Sequence, residues 1–159
     1  MQRLCPVCNQ GFLSPSVVEH HSTIGGRVYR ANLDAARCNA CGDALISDEV
    51  LEHFELAVSS ALTNAEPSGE AFIFMRKAIG LSRAEMAKML HVPSEVLAGW
   101  EVGEQPVEWR AWVLLCLMVA EYRVGSSATR DKLTHQAHEQ SAANRQEVVL
   151  GHLTTQPTL

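Results

Sequence analysis

The sequence predicts a mainly α-helical protein that begins with a small cysteine-stapled α+β module and continues as a bundle of short helices. Three observations support this fold class. Two Cys-x-x-Cys pairs lie near the N-terminus, a glycine pair separates two alternating segments, and several capped helical segments follow. These patterns divide the chain into a module over residues 1–62, a linker over 63–69, a helical domain over 70–124 and a polar, flexible tail over 125–159.

The composition is that of a globular protein, since 47% of the 159 residues are hydrophobic. The longest apolar run, residues 111–120, is about half the length that a membrane helix requires. No apolar secretion segment precedes the first cysteines. We therefore expect a cytoplasmic protein without membrane contact. Its net charge of −5 has the wrong sign for a protein that binds nucleic acid by charge alone.

A β-hairpin is predicted inside the N-terminal module. Residues 17–24 alternate between two faces as a strand does. Gly25 and Gly26 can adopt the positive φ angles that a tight hairpin turn requires, and residues 27–33 can return as the second strand. The module is therefore expected to contain a short two-stranded ribbon.

The next predicted element is an amphipathic helix over residues 48–62. Ser47 can cap it, and Asp48 and Glu49 in its first turn suit the positive end of the helix dipole. Its apolar residues recur at spacings of three and four, which is typical of a helix with one buried face. Turn-forming residues and a proline in residues 63–69 then predict the linker.

Four cysteines form two Cys-x-x-Cys pairs, Cys5 with Cys8 and Cys38 with Cys41. Each pair can present two sulfurs to one ion, and two pairs complete a tetrahedron, so the spacing predicts one structural zinc ion. Four thiolates leave no open position for water, so the metal would not be catalytic. Gly42 is expected to relieve crowding around the metal. The alternative is a set of buried or redox-active cysteines without metal.

His20, His21 and Cys116 are further candidates for metal ligands or reactive groups. Adjacent residues on a strand point to opposite faces, so at most one of the two histidines can reach a metal, and four cysteines need neither. We expect both to be surface or hairpin residues. Cys116 lies in apolar sequence and is predicted to be a small core residue.

The region after the linker has the pattern of four helices. They are predicted over residues 72–79, 83–90, 94–101 and 107–123. Ser82 and Glu85 have the spacing of a capping box for the second helix, and Ser94 is the expected cap of the third. The fourth helix is apolar on nearly every face. Beyond residue 125 the sequence is polar, with some helical tendency.

This region resembles the Xre/Cro-type helix-turn-helix, in which an Arg-Lys pair precedes a capped turn, a second helix, a short turn and a recognition helix. The matching features cover about a third of the chain. They are Arg76-Lys77, Gly80-Leu81-Ser82, Ala87 with Leu90, Val92-Pro93-Ser94 and Trp100-Glu101-Val102-Gly103. The resemblance implies a helix-turn-helix bundle of the DNA-binding type.

Together with the cysteine pairs, residues 1–124 look like the MqsA/YgiT antitoxin family. The resemblance implies that the zinc domain binds and neutralises a ribonuclease toxin. It also implies that a dimeric C-terminal domain represses its own operon by binding double-stranded DNA. A two-fold dimer would place two recognition helices about 34 Å apart, which fits a palindromic operator.

The candidate DNA contacts lie around the second and third helices of this domain. The third helix would enter the groove, and the start of the second would hold a phosphate. The residues assigned to DNA are Ser82, Arg83, Ser94, Glu95, Ala98, Gly99, Lys77 and Lys88, with Arg76 as an additional cation. Family members often carry Asn at the position of Glu95 and Arg at that of Gly99, whereas the third helix here has no Lys or Arg. A helix-turn-helix kept only for protein contacts is therefore the alternative.

The fourth helix predicts a homodimer, because a helix that is apolar all round must be buried on more than one side. The residues assigned to the dimer interface are Trp109, Trp112, Leu115 and Val119. The alternative cover is intramolecular, either the helix that follows Ser47 or the tail.

Three functions fit these patterns. The first is an antitoxin that also represses its own operon, the second is a solitary zinc and helix-turn-helix transcription factor, and the third is an adaptor that no longer reads DNA. No Ser-His-Asp set, phosphate-binding loop or open metal site is recognisable. An enzyme is therefore not expected.

Overall fold

The structure is a computed structural model that describes residues 3–139, without the side chains of residues 137–139. Within this range four strands come first and six helices follow, so the protein is mixed α and β. The expected order, a small β-containing module and then helices, is confirmed. In the described part of the chain, no helix has the length and apolar character needed to cross a membrane.

One long hairpin dominates the four-stranded antiparallel sheet. The strands, in spatial order, are β1 (Arg3–Leu4), β2 (Phe12–Ile24), β3 (Arg27–Cys38) and β4 (Ala44–Leu45). Strands β2 and β3 pair continuously from Leu13 opposite Cys38 to Ile24 opposite Arg27. The turn residues Gly25 and Gly26 have φ values of 58° and 73°, as a type I′ turn requires. The predicted hairpin is confirmed and is longer than expected.

Helix α1 (Asp48–Leu62) begins and ends where the sequence predicts. The hydroxyl of Ser47 accepts a hydrogen bond from the N–H of Val50 at 3.4 Å. The helix packs on one face of the hairpin, where Phe54 meets the ring of His20 edge-on at 4.9 Å between centroids. The opposite face of the hairpin is exposed, because no described helix covers it.

Five further helices complete the fold. They are α2 (Gly69–Ala78), α3 (Arg83–Leu90), α4 (Ser94–Glu101), α5 (Trp109–Arg123) and α6 (Ala128–Glu139). The capping box is confirmed, since Glu85 N donates to Ser82 Oγ at 3.2 Å and Ser82 N donates to Glu85 Oε2 at 2.7 Å. Ser94 is the first residue of α4 rather than its cap, which is Pro93. The segment between α1 and α2 is residues 63–68, because Ser68 caps α2.

The helical tendency predicted beyond residue 125 is confirmed in the first part of the tail, which forms α6. Thr129 donates to Glu121 through both its backbone N–H and its hydroxyl, at 2.8 and 2.7 Å. Leu133 packs against the core, and Arg130 Nη2 lies 3.9 Å from Glu85 Oε1. These contacts fasten a polar helix to α3 and α5. The remainder of the predicted tail, residues 140–159, lies outside the described residues.

A single hydrophobic core connects the hairpin to the helices. Ile24 and Leu33 are the buried hairpin residues in this core, and the hairpin contacts both α1 and α2. The largest fully buried side chains in the helices are Leu62, Phe72, Met75, Met86, Leu97, Leu115 and Val119. The N-terminal module and the helical region are therefore packed together through α1 and through the hairpin tip.

Candidate metal centre and helix-turn-helix surface

The four predicted metal ligands come together at the base of the hairpin. All four Sγ atoms lie within 4.8 Å of one another, with Cys5–Cys41 at 3.9 Å and Cys8–Cys38 at 3.7 Å. A tetrahedral site with Zn–S bonds of about 2.3 Å requires sulfurs about 3.8 Å apart, whereas a disulfide requires about 2.05 Å. The cluster therefore has the size to hold one metal ion, and its all-thiolate ligand set suits zinc.

Two turns of the same geometry position the four sulfurs. In the first turn the N–H of Asn9 donates to the carbonyl of Cys5 at 3.0 Å, and in the second the N–H of Gly42 donates to the carbonyl of Cys38 at 3.1 Å. Asn9 and Gly42 each follow the second cysteine of a pair, and both have positive φ angles, 55° and 78°. The local sequence thus builds one conformation twice, with the two turns facing each other.

The backbone favours thiolates at part of the cluster. A hydrogen bond from the backbone of Gln10 is the main reason that the pKa of Cys8 falls to about 6. The pKa of Cys38 is lowered as well, mainly by the backbone of Cys41. The pKa of Cys41 rises to about 12 although the backbone of Asp43 lowers it, because desolvation and the three other sulfurs oppose another negative charge. A cation bound at the centre would offset that repulsion.

Gly11 allows the two turns to approach each other, which the sequence analysis missed. A Cβ atom at this position would lie 2.5 Å from Cys38 Sγ and 2.6 Å from Ala40 Cβ. The N–H of Gly11 also donates to Cys8 Sγ at 3.4 Å. The role expected for Gly42 is wrong, because a Cβ at this position would meet no atom within 4 Å, and only its φ of 78° calls for glycine. The sequence signal for this role was a glycine three residues after Cys8, the second cysteine of the first pair.

The other candidate groups lie away from the cluster. Among residues 3–139, these four cysteines form the one group of His, Cys, Asp or Glu side chains close enough to hold a metal. His20 packs on Phe54, and His21 points to the exposed face of the hairpin. Cys116 is half-buried in α5, and desolvation raises the pKa of its thiol. The expectation that neither histidine is a metal ligand is confirmed, whereas Cys116 lies at the edge of the core rather than inside it.

Helices α2, α3 and α4 form a three-helix unit, in which α4 packs against both α2 and α3. The turn between α3 and α4 passes through His91, whose φ is 53°. Phe72 of α2 meets Trp100 of α4 edge-on, with 6.0 Å between ring centroids. Gly69 at the start of α2 allows close packing, because a Cβ there would collide with the carbonyl of Trp100. These contacts hold α4 against α2.

The buried carboxylate of Glu101 forms salt bridges with two arginines that were predicted from the sequence to contact DNA. Arg76 is 4% exposed; its Nη2 lies 2.6 Å from Glu101 Oε1, and its Nη1 donates to the carbonyl of Leu81. Arg76 is therefore not a phosphate contact. Arg83 donates to Glu101 Oε2 at 2.7 Å, but about half of its side chain remains exposed. The role of Glu101 was not predicted from the sequence, because its environment depends on three separate helices.

The residues assigned to the reading surface divide into two groups. Ser94 and Glu95 are exposed on α4, and Ala98 is half-buried. Gly99 is buried and not on the open surface, because the side chain of Gln105 covers it with its Cδ 3.7 Å from the position of a Cβ. Outside α4, the assigned residues that are exposed are Lys77, Ser82, Arg83 and Lys88.

The assignment of the dimer interface is corrected by the packing of α5. Trp112, Leu115 and Val119 are buried in the core of the same chain, at 2%, 0% and 0% exposure. Their neighbours include α1 and α2, so a partner subunit cannot reach them in the folded chain. Trp109 is exposed. The exposed apolar stripe on α5 consists of Trp109, Val113 and Leu117.

Comparison with protein-family models gives no match, and comparison with curated protein sequences gives none. The resemblance to the MqsA/YgiT family therefore rests on the cysteine pairs and the helix-turn-helix motif. What the structure adds is the metal-sized cluster at one end of the hairpin and the three-helix unit at the other.

Proposed function

We propose that the protein is a zinc-containing transcription regulator that acts as the antitoxin and autorepressor of a toxin–antitoxin pair. The observation that carries this proposal is the combination of a four-cysteine cluster of zinc size with a capped three-helix unit whose third helix begins in solvent. Zinc would be held by all four cysteines and would have a structural role. The cytoplasm is the compartment expected for such a regulator.

DNA would contact the start of α3 and the open side of α4. The N-terminal turn of α3, with Lys77 and Lys88 nearby in sequence, is suited to phosphates. Glu95 can accept a hydrogen bond from a cytosine amino group. Gln105 adds an amide next to α4 where Gly99 has no side chain, and amides of this kind recognise adenine. Gln105 therefore replaces Gly99 as a candidate for base recognition.

A homodimer would bring two such surfaces to one operator. Trp109, Val113 and Leu117 follow one another at four-residue spacing and form an exposed apolar stripe on α5. A two-fold axis next to this stripe would cover it with its own copy, since a two-fold interface is self-complementary. Sedimentation of the wild type and of Leu117→Glu tests this arrangement. We expect a dimer and a monomer, respectively.

A toxin would bind at the zinc end of the hairpin. Leu4, Val7 and Phe12 surround the cysteine cluster and are exposed. Exposed apolar side chains that lie close together are typical of protein-binding surfaces. The toxin's gene is expected to neighbour the gene of this protein. An isolated gene would instead favour the solitary transcription factor.

DNA binding is tested by fluorescence anisotropy of the zinc-loaded protein with its own upstream DNA and with a scrambled duplex at about 150 mM salt. We expect selective, salt-sensitive binding. Lys88→Ala should weaken binding to both duplexes about equally, whereas Gln105→Ala should reduce the preference between them. Absence of binding at micromolar protein would contradict the proposal.

The second candidate function is a protein adaptor. It is favoured by the exposed acidic residues Glu95, Glu104 and Glu108, which lie in and after α4 and repel phosphates. A cross-linked or copurified protein partner that shields this side of α4, together with no selective DNA binding, would support the adaptor.

A further inference from the structure

Helix α1 contacts both the hairpin that carries the cysteine cluster and the helices that follow it. Its Phe54 packs on His20 of the hairpin. On its other side, Ser60 accepts a hydrogen bond from Arg123 of α5 at 2.7 Å. Leu62, at its end, lines a small cavity together with Ile24 of the hairpin tip and with α2. The helix is therefore packed between the two parts rather than attached to one.

The connection to α2 is short and held by hydrogen bonds. Residues 63–68 separate α1 from α2, and the N–H of Ala65 donates to the carbonyl of Leu62 at 2.9 Å. The hairpin tip adds a second connection, because the N–H of Gly25 donates to Glu70 Oε2 at 2.7 Å. The segment predicted as a linker is therefore short, and hydrogen bonds hold the elements on both sides of it together.

The base of the hairpin lacks an apolar core. In the described residues before α1, the buried hydrophobic residues are Cys5, Ile24, Leu33 and Cys38. Ile24 lies at the far tip, and Leu33 contributes to the core shared with α1. At the base the buried residues are Cys5, Gly11 and Cys38, so a metal bound there would supply most of the free energy that holds the base together. Strand β4, two residues before α1, starts from this base.

We propose that zinc occupancy controls the stability of the helix-turn-helix through α1. Loss of the metal releases the base of the hairpin and the start of α1, and α2 then loses part of its cover. Ligand binding to a native state stabilises every part that unfolds together with the site. The stability of α2–α4 would thus respond to the metal, with these helices more resistant to unfolding when zinc is bound. This inference rests on the proposed zinc site and is independent of DNA binding.

Tryptophan fluorescence tests the coupling, because Trp100, Trp109 and Trp112 are all the tryptophans in the sequence and all lie in α4 and α5. Two samples of the full chain are unfolded in urea, one loaded with zinc and one treated with excess EDTA. The zinc content of both samples is measured. We expect the tryptophan transition to move by about 1 M or more to lower urea without zinc. An unchanged midpoint after verified zinc loss would overturn the coupling. A chain that takes up no zinc would overturn the metal site itself.

Three variants identify the route. The double variant Cys38→Ser, Cys41→Ser in zinc buffer should unfold like the EDTA-treated wild type. Cys116→Ser removes a cysteine outside the cluster and should keep the full zinc-dependent shift. Leu62→Ala weakens the contact between α1 and α2 and should reduce that shift. A shift of wild-type size in Leu62→Ala would exclude α1 as the route.

Discussion

The two ends of the hairpin are stabilised in different ways. At its base, Cys5 and Cys38 are buried, whereas the large apolar side chains of Leu4, Val7 and Phe12 are exposed. At its tip, the chain meets helices whose side chains, among them Phe72, Leu97 and Leu115, are completely buried. Burial of one such side chain contributes about 1.5–3 kcal/mol, whereas a structural zinc ion contributes about 10 kcal/mol. A segment too small for a core can therefore be as stable as a packed bundle.

The largest effect is expected from crowding the metal end. Gly11→Ala places a methyl group 2.5 Å from Cys38 Sγ, so the two turns cannot close around one ion. We expect the zinc content to fall from about one ion per chain to almost none, measured with a chromogenic chelator. Gly42→Ala is the matched control. It meets no neighbouring atom but strains a positive φ, so it should keep its zinc and lose about 1–2 kcal/mol of stability.

Removing the buried aromatic ring of Phe72 should destabilise the helices rather than the metal end. Phe72 is completely buried against Trp100, and Phe72→Ala is expected to lower the free energy of unfolding by about 3–5 kcal/mol because it leaves a cavity. Urea unfolding measures this loss. Val17→Ala changes an exposed apolar residue on the hairpin and should stay within about 0.5 kcal/mol of the wild type. Equal losses in the two variants would contradict the contrast between packed and open faces.

The buried ion pair provides a third, smaller test. Glu101→Gln leaves Arg76 as an uncompensated buried charge and should lower the free energy of unfolding by about 3 kcal/mol. Glu104→Gln, an exposed substitution of the same chemistry, should have little effect. Thermal and urea unfolding both report the difference. If both variants were as stable as the wild type, the network around Glu101 would not contribute to the bundle.

The smallest effect is expected at the capping box of α3. Ser82→Ala should cost about 1 kcal/mol, measured by urea unfolding. The hydroxyl and the N–H of Ser82 lower the pKa of Glu85, so the carboxylate contributes stability above its unfolded pKa and loses it as the pH falls through the folded value. The difference in melting temperature between wild type and Glu85→Gln should therefore shrink in acid. A constant difference would contradict this link.

Local features of the sequence were predicted well, and features that depend on neighbouring elements were not. The cap at Ser47, the capping box at Ser82 and the turn at Gly25 each depend on a few adjacent residues, and all three are confirmed. The four cysteines were found because their spacing carries the chemistry of the site. The length of the hairpin was underestimated because residues 12–16 include a proline and two serines.

The errors share a physical origin. Arg76 has the composition of a DNA contact, and only the position of Glu101 in space shows that it is buried. The apolar α5 indicated burial on several sides, but the sequence does not distinguish an intramolecular cover from a partner, so Trp112 was assigned to the wrong surface. Helix α6 has little apolar periodicity, and its position depends on contacts such as those between Thr129 and Glu121.

The long hairpin also has a consequence for self-association. Strand β1 covers only two positions of β2, and β4 covers only two of β3; elsewhere in the described residues no strand flanks the ribbon. Open edges of this kind template aggregation unless they are blocked. Pro15 has no N–H to donate, and the exposed Glu19 and Arg30 lie 3.7 Å apart on the outer face. These features are among those that oppose edge-to-edge pairing of the hairpin with further chains in a growing sheet.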